Sequence, residues 1–326
     1  MDYKRLTTRF RQFGGMRLVR EYARLGVLWT GVGAFFKCLK KRQSFKHIYP
    51  ELLAKVEPFL TQKYLPVLKE RKEAYRSFPG GSQKRSTFIW YCWLQGIEQA
   101  PEIARVCLES LYKHLPDREI RVIDANNWKE YIELPDWIVK KWELGRIPAA
   151  NFSDLLRLEL LIKYGGTWID ATVLCTGPAA HGVPLESFLD ADLFLFQYTP
   201  PGTAEGISIS NWFITSCTNN EVLMVLRDML HAYWKDYDCT LDYYMFHLFF
   251  SMVAKEYPEK VSVMPYGSSQ RSIALMRHWN DPFRQEVWDR HTSKVSFHKL
   301  SYRVDGETQK KNNSYYHYIV NDLRTR

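Results

Sequence analysis

The chain has 326 residues, 46% of them hydrophobic and 25% charged, proportions of a soluble globular protein that exclude a disordered or collagen-like chain. Its formal net charge of +9 is unevenly placed: residues 1–46 carry twelve Lys and Arg against Asp2 and Glu21, which leaves about −1 for all that follows. A nucleic-acid-binding body would be expected to show a basic face in its folded part, so that class is disfavoured.

In chain order, the basic leader comes first. "RQFGGMRLVREYARLGVLWTGVGAFFKCLKKR" mixes arginines with Leu, Val, Trp and Phe in a helical rhythm. Such a segment suits a membrane interface, with aromatics at the acyl boundary and basic groups on anionic headgroups. A solvated helix packed on the body is the other reading, and glycines at 14, 15, 26, 31 and 33 weaken the helix. The apolar run Leu25 to Phe36 is shorter than the ~20 residues that cross a bilayer and lacks a signal-type cleavage site. The expected location is therefore cytoplasmic, peripheral on the inner face of the plasma membrane. Six scattered cysteines without a CxxC pair read as free thiols in a reducing compartment.

Residues 48–76 read as a helix broken by Pro58 and Pro66, followed by the loop "SFPGGSQKRS". This divides the chain into a helical N-terminal extension, residues 1–80, and a domain, residues 81–326. "TFIWYCW" (87–93) predicts a strand, "PEIARVCLESLYKHL" (101–115) an amphipathic helix opened by Pro, and "EIRVID" (119–124) a strand. Helical pieces around Trp128 and Trp137 precede a long helix, "SDLLRLELLIKYGG" (153–166), with Ser153 placed to cap it and Gly165 to end it. "TWIDATV", "DLFLFQY" and "NWFITS" predict further strands. Strands alternating with helices imply an α/β fold with a mostly parallel central sheet covered on both faces, whose ligands collect at the carboxyl ends of the strands.

Asp170 ends the apolar strand that holds Trp168 and Ile169. A carboxylate partly buried there is costly unless something positive pairs with it, and a divalent cation bridging phosphate oxygens is one such partner. A turn-forming Asp is the bland alternative. Upstream, Asp154 and Arg157 stand three apart on one helix face. They read either as a helix-terminal ion pair or as groups that hold a nucleotide.

The block "SDLLRLELLIKYGGTWIDATV" resembles the core of the capsular polysaccharide synthesis protein family, which is related to the family 32 glycosyltransferases of GT-A fold. "FIWYCWLQGIEQAPEIARVCLESLYKHLPDREIRVID", "IPAANFSD", "NWFITS" and "FHKLS" are similar to its other blocks, over roughly residues 86 to 300. The resemblance implies a GT-A-type Rossmann-like domain in which Trp90, Trp93, Gln95 and Gly96 line a nucleotide pocket and Asp154 and Arg157 contact the nucleotide sugar. It further implies that Gly165 and Gly166 allow close backbone approach and that Asp170 takes the metal place of a DxD motif. His298 would close the metal shell. Core packing is the other reading for the two tryptophans, as is an ordinary strand position for His298. Thr172 stands where the second DxD acid belongs. A Mn²⁺ or Mg²⁺ ion held by Asp170, Thr172, His298 and a diphosphate is the expected cofactor, and metal-independent action with Arg157 or nearby lysines on the phosphate is the other course. Asp242 is the candidate second carboxylate, against a helix N-terminal role. Asn211 and Trp212 face either the sugar or the core.

The function implied is a glycosyltransferase, a retaining hexosyltransferase, moving a sugar from a nucleotide-sugar donor onto a lipid-linked or oligosaccharide acceptor in capsular or surface polysaccharide synthesis. The leader, residues 1–46, would sit on an anionic membrane surface, and no nucleic acid is expected as a partner. The alternative is a catalytically inactive saccharide-binding or scaffold protein, for which Thr172 speaks.

Overall fold

The computed structural model describes residues 11, 13–33, 48–77, 81–199, 208–304 and 306–323. Much of the basic leader, including Lys4, Arg5, Arg9 and residues 34–46, lies outside the described residues. The elements used below are α1 (Met16–Arg24), α2 (Ile48–Ser77), β1 (Phe88–Cys92), α3 (Glu102–His114), β2 (Glu119–Ile123), α4 (Asp136–Glu143), α5 (Ala149–Tyr164), β3 (Gly166–Asp170) and β4 (Val173–Cys175). After them come β5 (Leu193–Gln197), β6 (Ile209–Ser216), α6 (Glu221–Asp236), α7 (Met245–Glu256) and β7 (Phe297–Lys299). Among the described residues no helix is long and apolar enough to cross a membrane.

The chain forms two compact units. The first gathers Met1–Pro79, Glu133–Leu155 and Met224–Glu256, so residues 1–79 share a unit with two later stretches. Its organising element is α2, which buries Val56, Leu60, Tyr64 and Leu68, a stripe spaced four apart along one helix face. Tyr64 packs edge-on against Phe249 at 5.2 Å and donates from its hydroxyl to Asp236 at 3.0 Å. The helix was expected to break at Pro58 and Pro66, yet it runs through both. The prolines lie eight residues apart on the exposed face, so the carbonyls they leave without an intrahelical donor face water and the buried stripe is undisturbed.

The second unit, Gly80–Ile132, Leu156–Leu223 and Tyr257–Arg326, holds the sheet. Its strand order is β2-β1-β3-β6-β5. β1 pairs in parallel with β2 and β3, while β6 runs antiparallel to both β3 and β5. Four strands therefore point one way and β6 alone is reversed, a mostly parallel α/β sheet as expected. Strand alternation assigns the two faces. Ile89, Tyr91 and Ile169 join Ala104, Leu108 and Leu111 of α3 in one buried cluster. On the other face Trp90 lies against Tyr131 and Tyr164 at 5.6 and 5.5 Å. A separate antiparallel ribbon, β4 with β7, is anchored by the fully buried Phe297, 4.7 Å from Phe213.

The paired glycines are needed by the sheet itself. Gly165 (φ +68°) ends α5, as read from the sequence. A Cβ on Gly166 (φ +87°) would stand 2.3 Å from the Phe88 carbonyl oxygen, where β3 begins beside β1. Gly166→Ala is expected to lower stability by about 3 kcal/mol from backbone strain alone, seen as a fall in the denaturation midpoint. Gly33→Ala, whose Cβ meets nothing within 4 Å, should leave the midpoint in place.

Candidate functional site

β1 leads through α3 to β2 on one side, and the chain returns to place β3 on the other side of β1. In open α/β sheets the crevice at the carboxyl ends of two such strands is where ligands bind. Cys92 and Asp170, the last residues of β1 and β3, are register partners at that crevice.

Asp170 is held from three sides. Trp168, two residues back on the same strand face, donates its indole N–H to Oδ1 at 3.0 Å. The Arg157 guanidinium, on α5, stands 3.6 Å from Oδ1, and the Lys299 ammonium, at the end of β7, 3.3 Å from Oδ2. Arg157 is buried; it also donates to the Asn211 carbonyl at 2.5 Å and lies 4.9 Å over the Trp168 ring. Lys299 donates to Thr172 Oγ1 at 2.6 Å. Burial alone would raise the Asp170 carboxyl, but Lys299 and then Arg157, with hydrogen bonds from Trp168 and Lys299, hold it below the usual range. The turn between β3 and β4 is pinned as well: the Tyr91 hydroxyl lies 2.9 Å from the Ala171 carbonyl, and Leu300 N–H donates to the Thr172 carbonyl at 2.8 Å. The Asp170 carboxylate thus lies between two cations. Asp170 and Lys299 keep 28% and 22% side-chain exposure, so the cluster is open to a ligand and suits an anion.

The expected cation does not fit this donor set. The Thr172 hydroxyl and Asp170 Oδ2 already face the Lys299 ammonium, Oδ1 faces Arg157, and a dication there would meet both positive charges. Among the described residues no group of three or more His, Cys, Asp or Glu is placed to hold a metal ion. His298 cannot complete such a shell, because adjacent strand residues face opposite ways and Lys299 is the one that reaches Asp170. The His298 ring is fully buried and lies 3.3 Å from Thr176 Oγ1.

The remaining sequence candidates divide. Trp93, just past β1, keeps a buried indole N–H with no partner among the described residues and meets Tyr302 edge-on at 5.4 Å. Gln95 is exposed, and Gly96 (φ +85°) forms the turn after β1, where a Cβ would make an ordinary contact with Asp124 Oδ2 at 3.9 Å. These three sit at the crevice end of β1. Trp90 does not: it is buried, and its indole donates to the Gly165 carbonyl at 2.9 Å. Gly165 and Gly166 lie at the opening end of β3, across the sheet from Asp170. Trp212 is buried and stacked on Phe196 at 4.5 Å, so it packs the core. Asn211 meets the site through its carbonyl. Asp154, on α5 one turn before Arg157, is buried and belongs to the first unit. Asp242, also in the first unit, has no solvent exposure and accepts from Tyr244 N–H at 2.7 Å, the turn-forming role at the entry to α7.

Lys299, Tyr302 and Asp124 were missed by sequence reasoning. The signal for Lys299 was the alternation in "FHKL": with Phe297 inward, the lysine shares its face and the histidine does not. Asp124 follows β2 beside Gly96, and its Oδ1 accepts from Asn126 and Asn127 N–H at 2.7 and 3.0 Å.

Burial, with His291 nearby, pushes the His298 imidazole down to about 3 from 6.5. Between those values the unfolded chain takes up a proton that the folded ring refuses, so stability should fall as pH drops below 6.5, by up to about 1.4 kcal/mol per pH unit. Denaturant midpoints from pH 7.5 to 4.5 measure this, and the slope should be smaller in His298→Gln.

The family model for capsular polysaccharide synthesis proteins matches residues 37–319. None of the curated proteins matches the chain. Among solved structures, the PaToxG glycosyltransferase is similar at 11% identity and a TM-score of 0.37, over 82% of this chain and 97% of that one; a likeness that loose says nothing of what this chain binds. The match to the family model spans most of the sequence, and the chain belongs to the capsular polysaccharide synthesis protein family.

Proposed function

From that membership we propose that the protein is a glycosyltransferase that moves a hexosyl group from a nucleotide-sugar donor to a lipid-linked saccharide acceptor during surface polysaccharide synthesis. The observation that carries the reading is the partly open cluster of Asp170, Arg157 and Lys299, which brings two cations to the crevice between β1 and β3. A nucleotide sugar brings a diphosphate to such a place, and negative charge builds on that diphosphate as its bond to the anomeric carbon breaks. Trp93 and Tyr302 offer aromatic surface for the base at the end of β1. Asp124, at the end of the neighbouring strand, offers a carboxylate oxygen to ribose hydroxyls, the role an acid at this place takes in dinucleotide-binding sheets.

Retention of configuration is part of the proposal. The anomeric C–O bond breaks with its electron pair going to the phosphate oxygen. The acceptor hydroxyl oxygen forms the new bond, and its proton passes to the freed phosphate. That route needs no separate carboxylate base, in keeping with Asp242 being wholly buried in a turn. The inactive-scaffold alternative draws its support from Thr172; that the hydroxyl accepts from Lys299 favours the active reading.

Purified protein, a panel of nucleotide sugars and a lipid-linked saccharide acceptor test the reading through released nucleotide. One donor should turn over, and Asp170→Asn should reduce its rate about 10²-fold or more with the circular dichroism spectrum unchanged. Silence across the panel with acceptor present overturns the proposal. The basic leader is proposed to hold the enzyme at anionic lipid. A form lacking residues 1–46 should stay in the supernatant when anionic vesicles are sedimented, while retaining donor turnover.

A further inference from the structure

We propose that the Lys299 ammonium supplies, as a fixed part of the chain, the positive charge that stabilises the departing phosphate, so that transfer by this protein needs no divalent metal. The inference rests on the glycosyltransferase reading and goes further by naming the electrophilic group of the same site.

In "DAT" (170–172) the first and third residues are those expected from the family resemblance to hold an ion. Between their side chains stands the Lys299 nitrogen, 3.3 Å from Asp170 Oδ2 and 2.6 Å from Thr172 Oγ1. Thr172 suits a lysine better than a metal: a neutral hydroxyl is a poor ligand for a hard dication but a good acceptor for an N–H. An ammonium has three donors. Two are directed at Thr172 and Asp170, and among the described residues the third has no partner, on a side chain that is 22% exposed.

The two cations divide the work by burial. Arg157 is fastened by Asn211 and Trp168 and closed off from solvent, so it holds Asp170 in place. Lys299 is the half-open member, and it is rigidly mounted. Its Cα is the register partner of Val173, Leu300 closes the ribbon onto the Thr172 carbonyl, and Phe297 seats the same strand face against Phe213. A charge held in place before the reaction needs no reorganisation when the phosphate leaves. Lys299 keeps its proton throughout: the anomeric C–O electron pair goes to the phosphate oxygen, the acceptor oxygen bonds to the sugar carbon, and the hydroxyl proton goes to the freed phosphate. Asp170 and Thr172 are positioning residues in this step, and Lys299 is the catalytic one.

The test uses full-length protein stripped of metal, with nucleoside diphosphates and their parent nucleosides as binding probes and the nucleotide-sugar panel for turnover, each in excess EDTA and in Mn²⁺. Diphosphate affinity and turnover should be the same in both buffers. Lys299→Met should lower turnover about 10²-fold and weaken diphosphate binding about tenfold or more while sparing nucleoside binding, and Lys299→Arg should recover part of both. Thr172→Val, which frees the lysine without removing it, should weaken diphosphate binding by a smaller factor. Melting temperatures confirm that each variant folds. Loss of binding and turnover in EDTA with recovery in Mn²⁺ overturns this proposal alone, as does a folded Lys299→Met with wild-type turnover. Absence of diphosphate binding and turnover in both buffers overturns the glycosyltransferase reading itself.

Discussion

A carboxylate caught between two cations at the carboxyl edge of a parallel strand pair is the constraint around which the second unit is arranged. Charges taken out of water must be compensated where they stand, and removing one member of such a set leaves the others exposed to that cost. Asp170 comes from β3, Arg157 from α5 and Lys299 from β7, so three elements must hold their register for the charges to meet. The surrounding contacts serve that register. Trp168 ties the acid to its own strand, Tyr91 and Leu300 fix the turn that follows, and Phe297 seats the ribbon that carries the lysine.

Much of the fold was legible because the relevant signals are local. The strands at 88–92 and 119–123 and the helix between them follow from apolar period and from Pro at the helix start. Gly165 ends its helix by adopting the left-handed conformation that position demands. The start of the same helix was misjudged: it opens at Ala149, after Pro148, and Ser153 lies inside it with its hydroxyl on the Ala150 carbonyl. The break expected at Pro58 and Pro66 did not occur, because the penalty of proline depends on which face of the helix it occupies, and that depends on packing from later in the chain. The reversal of β6 likewise depends on pairing between strands and on no residue pattern within it.

For the site, the sequence carried the acid and the arginine but not their partner. Asp170 and Arg157 stand close together in the chain, at an obvious strand end and on the helix before it. Lys299 meets them only through the pairing of two three-residue strands, too short for periodicity to announce. A late histidine beside it drew the eye, yet strand parity turns that ring to the face opposite Lys299, where it is buried. The paired glycines and Trp90 and Trp212, which a family resemblance invites one to assign to a ligand, belong to the packing that sets strand spacing and the core. Residues that build the platform and residues that reach the crevice are interleaved along one block, and only the side-chain directions separate them.

The span between the acid's turn and the lysine has a consequence for biosynthesis. Thr172 and Lys299 are 127 positions apart, and every strand of the five-stranded sheet has left the ribosome before the lysine does. A growing polypeptide can thus assemble its platform while the crevice still lacks the ammonium that Thr172 and Asp170 receive. The charge arrangement at this crevice is accordingly completed only after the strands that frame it have been made.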